Sequence, residues 1–294
     1  MSLSVLNNVN ATYATNNLNK TSNSLSTVLQ QLSSGSKINS GADDAAGLSL
    51  VNGLQANQNA LTQSVTNATE GVGLLQVADG ALSQVTSLLD RAVTLATEVA
   101  NGTLNTTQGE AANQEYQSIL AEITNIGSTT TYNQQQVFGK SYTIYTGDSS
   151  SIGATSDVLN FASLNASTGT VGDKGGTISY SNGTISYTLG TGTSLAGSLS
   201  YSNAATALTT LNNAISAISA QDGYVGAQIN TLSAISNVES TQQTNIQSAQ
   251  NAVQATDYAS ASSNMSKYEI LSQTGISALA QANSVQQEVT KLLS

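Results

Sequence analysis

The chain has 294 residues, 8% of them charged, and a formal net charge of −10; a surface of that sign repels a phosphate backbone and argues against nucleic acid as a partner. It has no Cys and no His, which removes disulfides, thiolate and imidazole metal ligands and the commonest general base. Pro is absent as well, so every backbone N–H is available to long unbroken helices, and the wealth of Ser, Thr, Asn, Gln and Ala reads as a structural protein rather than an enzyme, with no cofactor expected.

Met1–Asn10 lack the basic and apolar regions of an ordinary secretory signal. Helical periodicity begins at once. Leu6, Val9 and Tyr13 step by three and four, while Ala11, Leu18, Leu25 and Leu32 step by seven, which predicts a helix with a narrow apolar seam. Ser34–Gly35 ends it, Gly being the usual residue just past a helix C-terminus. Residues 35–50 read as a connector in which Ser40 or Asp43 caps the next helix.

That second helix is expected from Ala56 to Ala100. Its apolar steps of three and four run through Leu61, Val65, Ala68, Val72, Leu75, Ala78, Leu82, Val85, Leu89, Ala92, Ala96 and Val99, a coiled-coil-like seam. Gly71, Gly73 and Gly80 interrupt it. Each costs up to about 1 kcal/mol in a helix, so close packing against a neighbouring helix is the expected reason for all three. Asn101–Gly102 closes the helix, and a shorter one is expected over 107–126 with Tyr116, Ile119, Leu120 and Ile123 on one face. Nowhere does the chain approach the roughly 18 consecutive apolar residues of a membrane span, so no membrane is expected.

From 140 to 203 the helical step disappears and glycine becomes frequent. Tyr142–Thr146 and Val158–Phe161 are candidate strands, and Thr177–Tyr180 with Thr184–Leu189 flank a Ser181-Asn182-Gly183 turn, a hairpin signal. The core of such an insert is too thin to be very stable alone. Helical steps return with Leu208, Leu211, Ile215, Ile218, Val225, Ile229, Leu232, Ile246 and Val253, and a last seam of Ala278, Ala282, Val285, Val289 and Leu292 mirrors the first. The expected fold is mainly α: a long antiparallel helical bundle with paired terminal coiled-coil helices and a small β-rich central insert. The seam residues Leu18, Leu25 and Leu32 at one end and Val285, Val289 and Leu292 at the other are the expected self-assembly residues, because terminal helices so short and so poor in charge depend on neighbours.

Three stretches carry a family resemblance. LSSGSKINSGADDAAGLSL (Leu32 to Leu50), NATEGVGLLQVADGAL (Asn67 to Leu82) and SNMSKYEILSQTGISALAQANSVQQEVTKLLS (Ser263 to Ser294) resemble the conserved terminal regions of bacterial flagellins. The resemblance implies a structural subunit that polymerises with itself into the flagellar filament for swimming motility. Its partners would be further copies of itself, an export chaperone, hook-associated and cap proteins and Toll-like receptor 5. It would leave the cell unfolded through the type III apparatus and reside outside it, secreted. It also implies five segments: 1–40 and 263–294 as halves of an inner coiled coil, 41–139 and 204–262 as parts of an outer helical domain, and 140–203 as a variable insert. A hook–filament junction protein and a secreted coiled-coil adhesin or translocator are the alternatives.

No catalytic, cofactor or metal residue is expected. Asp43–Asp44 has no partner residue for acid–base or metal chemistry and suits a helix cap; Gly190-Thr191-Gly192 lacks the Lys of a phosphate loop. By resemblance, the receptor-binding positions of the family fall on Arg91, Leu95 and Glu115, whose residue types match. The other reading of these positions is that Leu95 packs in the helical body while Arg91 pairs with a neighbouring carboxylate.

Overall fold

A computed structural model describes residues 8–147, 155–165, 170–174, 177–181, 184–188, 191–193 and 199–293. The chain is mainly α, with five helices and a strand-rich centre, and divides into two compact units: Met1–Ala56 with Asn245–Ser294, and Asn57–Thr244.

The first unit is built on helix α1 (Val9–Ser34) and helix α5 (Tyr258–Leu293), which run antiparallel. The Asn8 side chain accepts from the Ala11 N–H, capping α1, and its amide donates to the Ala282 carbonyl of α5 at 3.0 Å. Gly35, at φ +70°, ends α1, and its N–H donates to the Gln31 carbonyl. That left-handed conformation favours glycine, and a Cβ there would also sit 2.9 Å from the Tyr258 hydroxyl. The connector then pairs with the chain entering α5: the Lys37 N–H donates to the Gln254 carbonyl and the Thr256 N–H to the Gly35 carbonyl.

Helix α2 (Ala45–Ala100) starts about three turns before the expected Ala56. The start is set by capping rather than by periodicity. Asp44 accepts from the Gly47 N–H at 2.9 Å, whereas Asp43 ties the turn, accepting from the Asn39 and Ser40 N–H groups. The bond from the Asn39 N–H, followed by those from Ser40, holds the Asp43 carboxyl below its ordinary value.

In the second unit α2, helix α3 (Thr106–Thr129) and helix α4 (Ala204–Gln254) share one core. The seam read from the sequence is its spine: Leu61, Ala68, Leu75, Ala78, Leu82, Val85, Leu89, Ala92, Ala96 and Val99 are all buried. Tyr116, Ile119, Leu120 and Ile123 of α3 and Leu211, Ile218, Val225 and Leu232 of α4 complete it. The Asn105–Gln108 capping box sets the start of α3. Helix α4 runs antiparallel to α2, with Gln243 bonded to Thr62, Glu239 bonded to Ser64 and Leu232 against Gly71. Gly71 admits Leu232 of α4, as expected of close helix packing; Gly73 is a correction, because it admits the Tyr132 ring, which belongs to a strand, and Gly80 is another, because a Cβ there would meet nothing. The expectation that nothing in the chain could span a membrane also needs correcting, since α2 is long and apolar enough by length and composition alone. Its Leu75, Leu82 and Leu89 are spent on the protein core.

The strands follow α3. Strands β1 (Thr131–Tyr132) and β2 (Gln135–Gln136) form a tight hairpin through Asn133 and Gln134, both at positive φ. Strands β3 (Ser141–Thr146) and β4 (Thr155–Asn160) pair antiparallel, with Tyr142 opposite Leu159 and Ile144 opposite Asp157. Strands β5 (Leu164–Asn165), β6 (Thr170–Lys174) and β9 (Thr191–Thr193) form a three-stranded sheet. The expected hairpin is present as β7 (Thr177–Ser181) and β8 (Thr184–Thr188), paired antiparallel. Its turn residues Asn182 and Gly183, and Leu189, lie outside the described residues. Strands β1, β2, β5, β6 and β9 are additional; the two- and three-residue strands leave too little alternation to read, and five-residue β6 carries one large apolar residue, Val171.

The insert does not rely on its own core. Phe138, Leu159, Phe161 and Leu164 are buried in the same core as the three helices, and the Phe161 ring meets Phe138 and Tyr142 edge-on. A polar tie reinforces this: the Gly147 N–H donates to the Ser64 hydroxyl, which donates to the buried Glu239 carboxylate at 2.5 Å.

The glycines generate a paired prediction. A Cβ on Gly127 of α3 would collide with the Leu164 carbonyl oxygen, so Gly127→Ala is expected to destabilise the second unit by about 1–3 kcal/mol. Gly80→Ala has open space and is expected to stabilise it by about 0.8–1 kcal/mol. Urea unfolding of the monomer, followed by circular dichroism, measures both.

Candidate functional site

Two surfaces carry the residues singled out from the sequence. The first is the terminal helix pair. On α1 the positions turned toward α5 are Ala11, Ala14, Leu18, Thr21, Leu25, Val28 and Leu32; on α5 they are Ala261, Met265, Tyr268, Ser272, Gly275, Leu279 and Ala282. Both series step by three and four, the heptad spacing of a coiled coil. Gly275 lets the helices close, since a Cβ there would lie 3.3 Å from the Leu18 Cδ1. The seam is narrow: Val28 and Ala261 are buried and most of the others only half-buried.

The structure thus brings Leu18, Leu25 and Leu32 into the α1–α5 contact. It does not bring Val285 there; that side chain is 41% exposed. The backbones of Val289 and Leu292 continue α5, but their side chains lie outside the described residues. The face of α5 that meets α1 escapes an apolar count because it is partly Ser and Gly; its signal is the heptad step running Met265, Tyr268, Ser272, Gly275, Leu279 and Ala282. Of the apolar repeat expected at the C-terminus, Ala282 lies in this contact, whereas Ala278 and Val285 point away from it and join exposed Ile270 and Leu271. With 3.6 residues per turn, Leu271, Ala278 and Val285 fall about a quarter of a turn round from the seam and Ile270 about half a turn, and all four are exposed. On α1, Val9 and Tyr13 are likewise exposed, on the side away from Leu18.

The second surface is where α2 and α3 lie side by side. The Arg91 guanidinium donates to both Glu115 carboxylate oxygens, at 2.6 and 3.0 Å. The bond from Arg91 holds the Glu115 carboxyl below its ordinary value, and Glu115 raises Arg91. A depressed carboxyl contributes stability above its unfolded value, near 4.5, and that contribution is lost as pH falls through the folded value. Both side chains are about half exposed, so the pair is open to solvent and screened by salt. Leu95 is 2% exposed and belongs to the core of the second unit. Arg91 and Glu115 meet on the surface, and Leu95 lies beneath them. Among the described residues no group of three or more acidic, His or Cys side chains could hold a metal.

Comparison with known proteins covers both ends of the chain. Residues 5–143 match the family model of the bacterial flagellin N-terminal helical region, and residues 208–293 that of the C-terminal helical region. The chain is similar to a flagellin of Listeria monocytogenes, 32% identical over 283 residues covering 94% of each protein. It is also similar to polar flagellin C of Vibrio parahaemolyticus, 37% identical over 142 residues, 48% of this chain and 37% of that protein. Among solved structures, the crystal structure of a Bacillus cereus flagellin covers 59% of this chain and 88% of its own, at 24% identity and a TM-score of 0.45.

Burial separates Leu95 from Arg91 in a testable way. Leu95→Ala opens a cavity in the core and is expected to cost about 2–5 kcal/mol in urea unfolding. Arg91→Gln, at an exposed pair, is expected to leave the unfolding midpoint within the scatter of replicates.

Proposed function

The chain belongs to the bacterial flagellin family and is a structural subunit of the flagellar filament, not an enzyme; we propose that it polymerises through the outward stripe of its C-terminal helix. The observation that carries this reading is the exposure of Ile270, Leu271, Ala278 and Val285 on one side of α5, while the contact with α1 uses a different side. A helix with two apolar stripes has one more than a two-helix pair can bury. A helical homopolymer is made by a heterologous contact, in which one surface of a subunit meets a different surface of the next. The stripe supplies one such surface, and the exposed Val9 and Tyr13 of α1 extend the apolar area available.

The finer organisation follows the same reading. Residues 1–40 and 263–294 form the inner coiled coil of the filament, 41–139 and 204–262 the outer helical layer, and 140–203 the variable insert. Leu18, Leu25 and Leu32 hold the terminal pair together, and Val285, Val289 and Leu292 meet the neighbouring subunit. The chain is secreted unfolded by the type III apparatus to the extracellular filament, with an export chaperone before secretion and hook-associated and cap proteins at the filament ends. Should Toll-like receptor 5 engage it, the Arg91–Glu115 surface is where it would do so, with Leu95 acting by supporting the helix surface from below.

Seeded polymerisation followed by sedimentation tests the stripe. Burying a large apolar side chain contributes about 1.5–3 kcal/mol, so Ile270→Ser with Leu271→Ser is expected to raise the critical concentration by at least about tenfold, with monomer helicity unchanged by circular dichroism. Pelleting at the wild-type concentration would sink the reading. Deleting Ala278–Ser294 is expected to abolish pelleting altogether.

A further inference from the structure

Strand β4 alternates, and Asp157, Leu159 and Phe161 mark the buried side of that strand and of the residue after it. Two of the three are apolar, as that side requires. The third is a carboxyl with 5% of its surface exposed, and among the described residues no side chain bonds either of its oxygens. An ionised carboxylate in such a place is unfavourable unless paired.

Among the described residues, nothing packed against β4 supplies the pair. Strand β3 puts Ile144 opposite Asp157, and its titratable residues are Tyr142 and Tyr145. Strand β8 packs on β4 and carries Tyr187 as its titratable residue. From α4 the titratable group facing Asp157 is Tyr224, fully buried. Its hydroxyl is already engaged, donating to the Val158 carbonyl at 3.1 Å and accepting from the Asn160 N–H at 3.2 Å. Gln221 of α4, also buried, bonds Asn160 and Ala162. The seat of β4 on α4 is therefore a set of neutral hydrogen bonds with one carboxyl among them.

We propose that Asp157 is a proton-operated latch, which seats β4 on α4 when protonated and loosens that seat when it ionises. The ligand is a single proton exchanged with solvent, and the latch is independent of the polymerisation contact on α5. Burial raises the Asp157 carboxyl above its ordinary value, only partly offset by the neighbouring Val158 N–H. A group raised in the fold stabilises it fully below the unfolded value, near 3.8, and that stabilisation is lost as pH rises through the folded value. The seat is tightest in acid and loosens toward neutrality, the opposite sense to the Arg91–Glu115 pair.

Amide exchange in the full-length monomer reads the latch directly. The Asn160 N–H is held by Tyr224 and the Ala162 N–H by Gln221, so both report opening of this seat. After correction for intrinsic exchange, their opening constant is expected to rise with pH above 3.8, at a slope of up to about tenfold per pH unit, the limit for one proton. Asp157→Asn keeps the shape and removes the charge, and is expected to abolish that slope while slowing opening at neutral pH. Titration of the Asp157 carboxyl carbon by NMR needs no variant and is expected to show a midpoint above 3.8. The same slope in the variant as in the wild type, or a carboxyl midpoint at or below the ordinary value, would overturn the proposal.

Discussion

A pair of helices can bury only the sides that face each other, and this limit governs the terminal part of the molecule. Helices α1 and α5 meet along a heptad of small and medium residues, in which Ala11, Ala14, Ser272 and Gly275 allow close approach. Such a seam removes little apolar area per turn, and the helices carry few charges to support themselves in isolation. The side chains that would do most to stabilise α5, Ile270, Leu271 and Val285, are left facing solvent. Subunits of this form gain by association what they do not gain by folding, so stability of the ends and assembly of the polymer are linked through mass action.

The second unit is organised the other way. Its core takes the apolar seam of α2 from Val72 to Val99 and closes it with α3, α4 and the buried ends of β4 and β5. Leu61, Leu75, Leu82, Leu89, Leu211 and Leu232 are fully buried, each worth about 1.5–3 kcal/mol relative to exposure, and none of that depends on a neighbour. The strands are tied into it by Phe161, by the Ser64–Glu239 bond and by Tyr224. Of the buried carboxyls among the described residues, Glu239 is bonded to Ser64 whereas Asp157 has no side-chain partner, and its neutralisation is what allows the strand to keep its place.

Long periodic stretches were legible in the sequence because a repeat of three and four over many turns has one structural solution. The buried face of α2 and the Tyr116–Ile123 face of α3 follow from spacing alone. The start of α2 was not legible from apolar spacing, because capping by Asp44 and not periodicity decides it. Gly80 resisted for a different reason: a helical glycine under a packed neighbour and one under open solvent look identical in sequence, and only Gly71 and Gly73 turned out to be packed. At the C-terminus the apolar repeat was visible, but an apolar repeat does not say which neighbour covers it. The contact with α1 is made by Met265, Tyr268, Ser272 and Gly275, residues chosen for size rather than hydrophobicity.

Because the chain has no Cys, a single introduced thiol reports one position cleanly, and Ala278→Cys on the outward stripe of α5 tests the central claim. Maleimide labelling of the monomer is expected to proceed as fast as at an exposed insert position such as Thr143→Cys, because both sites are open. In the filament the rate at 278 is expected to fall by about tenfold or more, thiol reactivity following exposure, while the rate at 143 is unchanged. Equal labelling at 278 in monomer and filament would mean that the stripe stays in solvent after assembly, and that the subunits are held together by another surface.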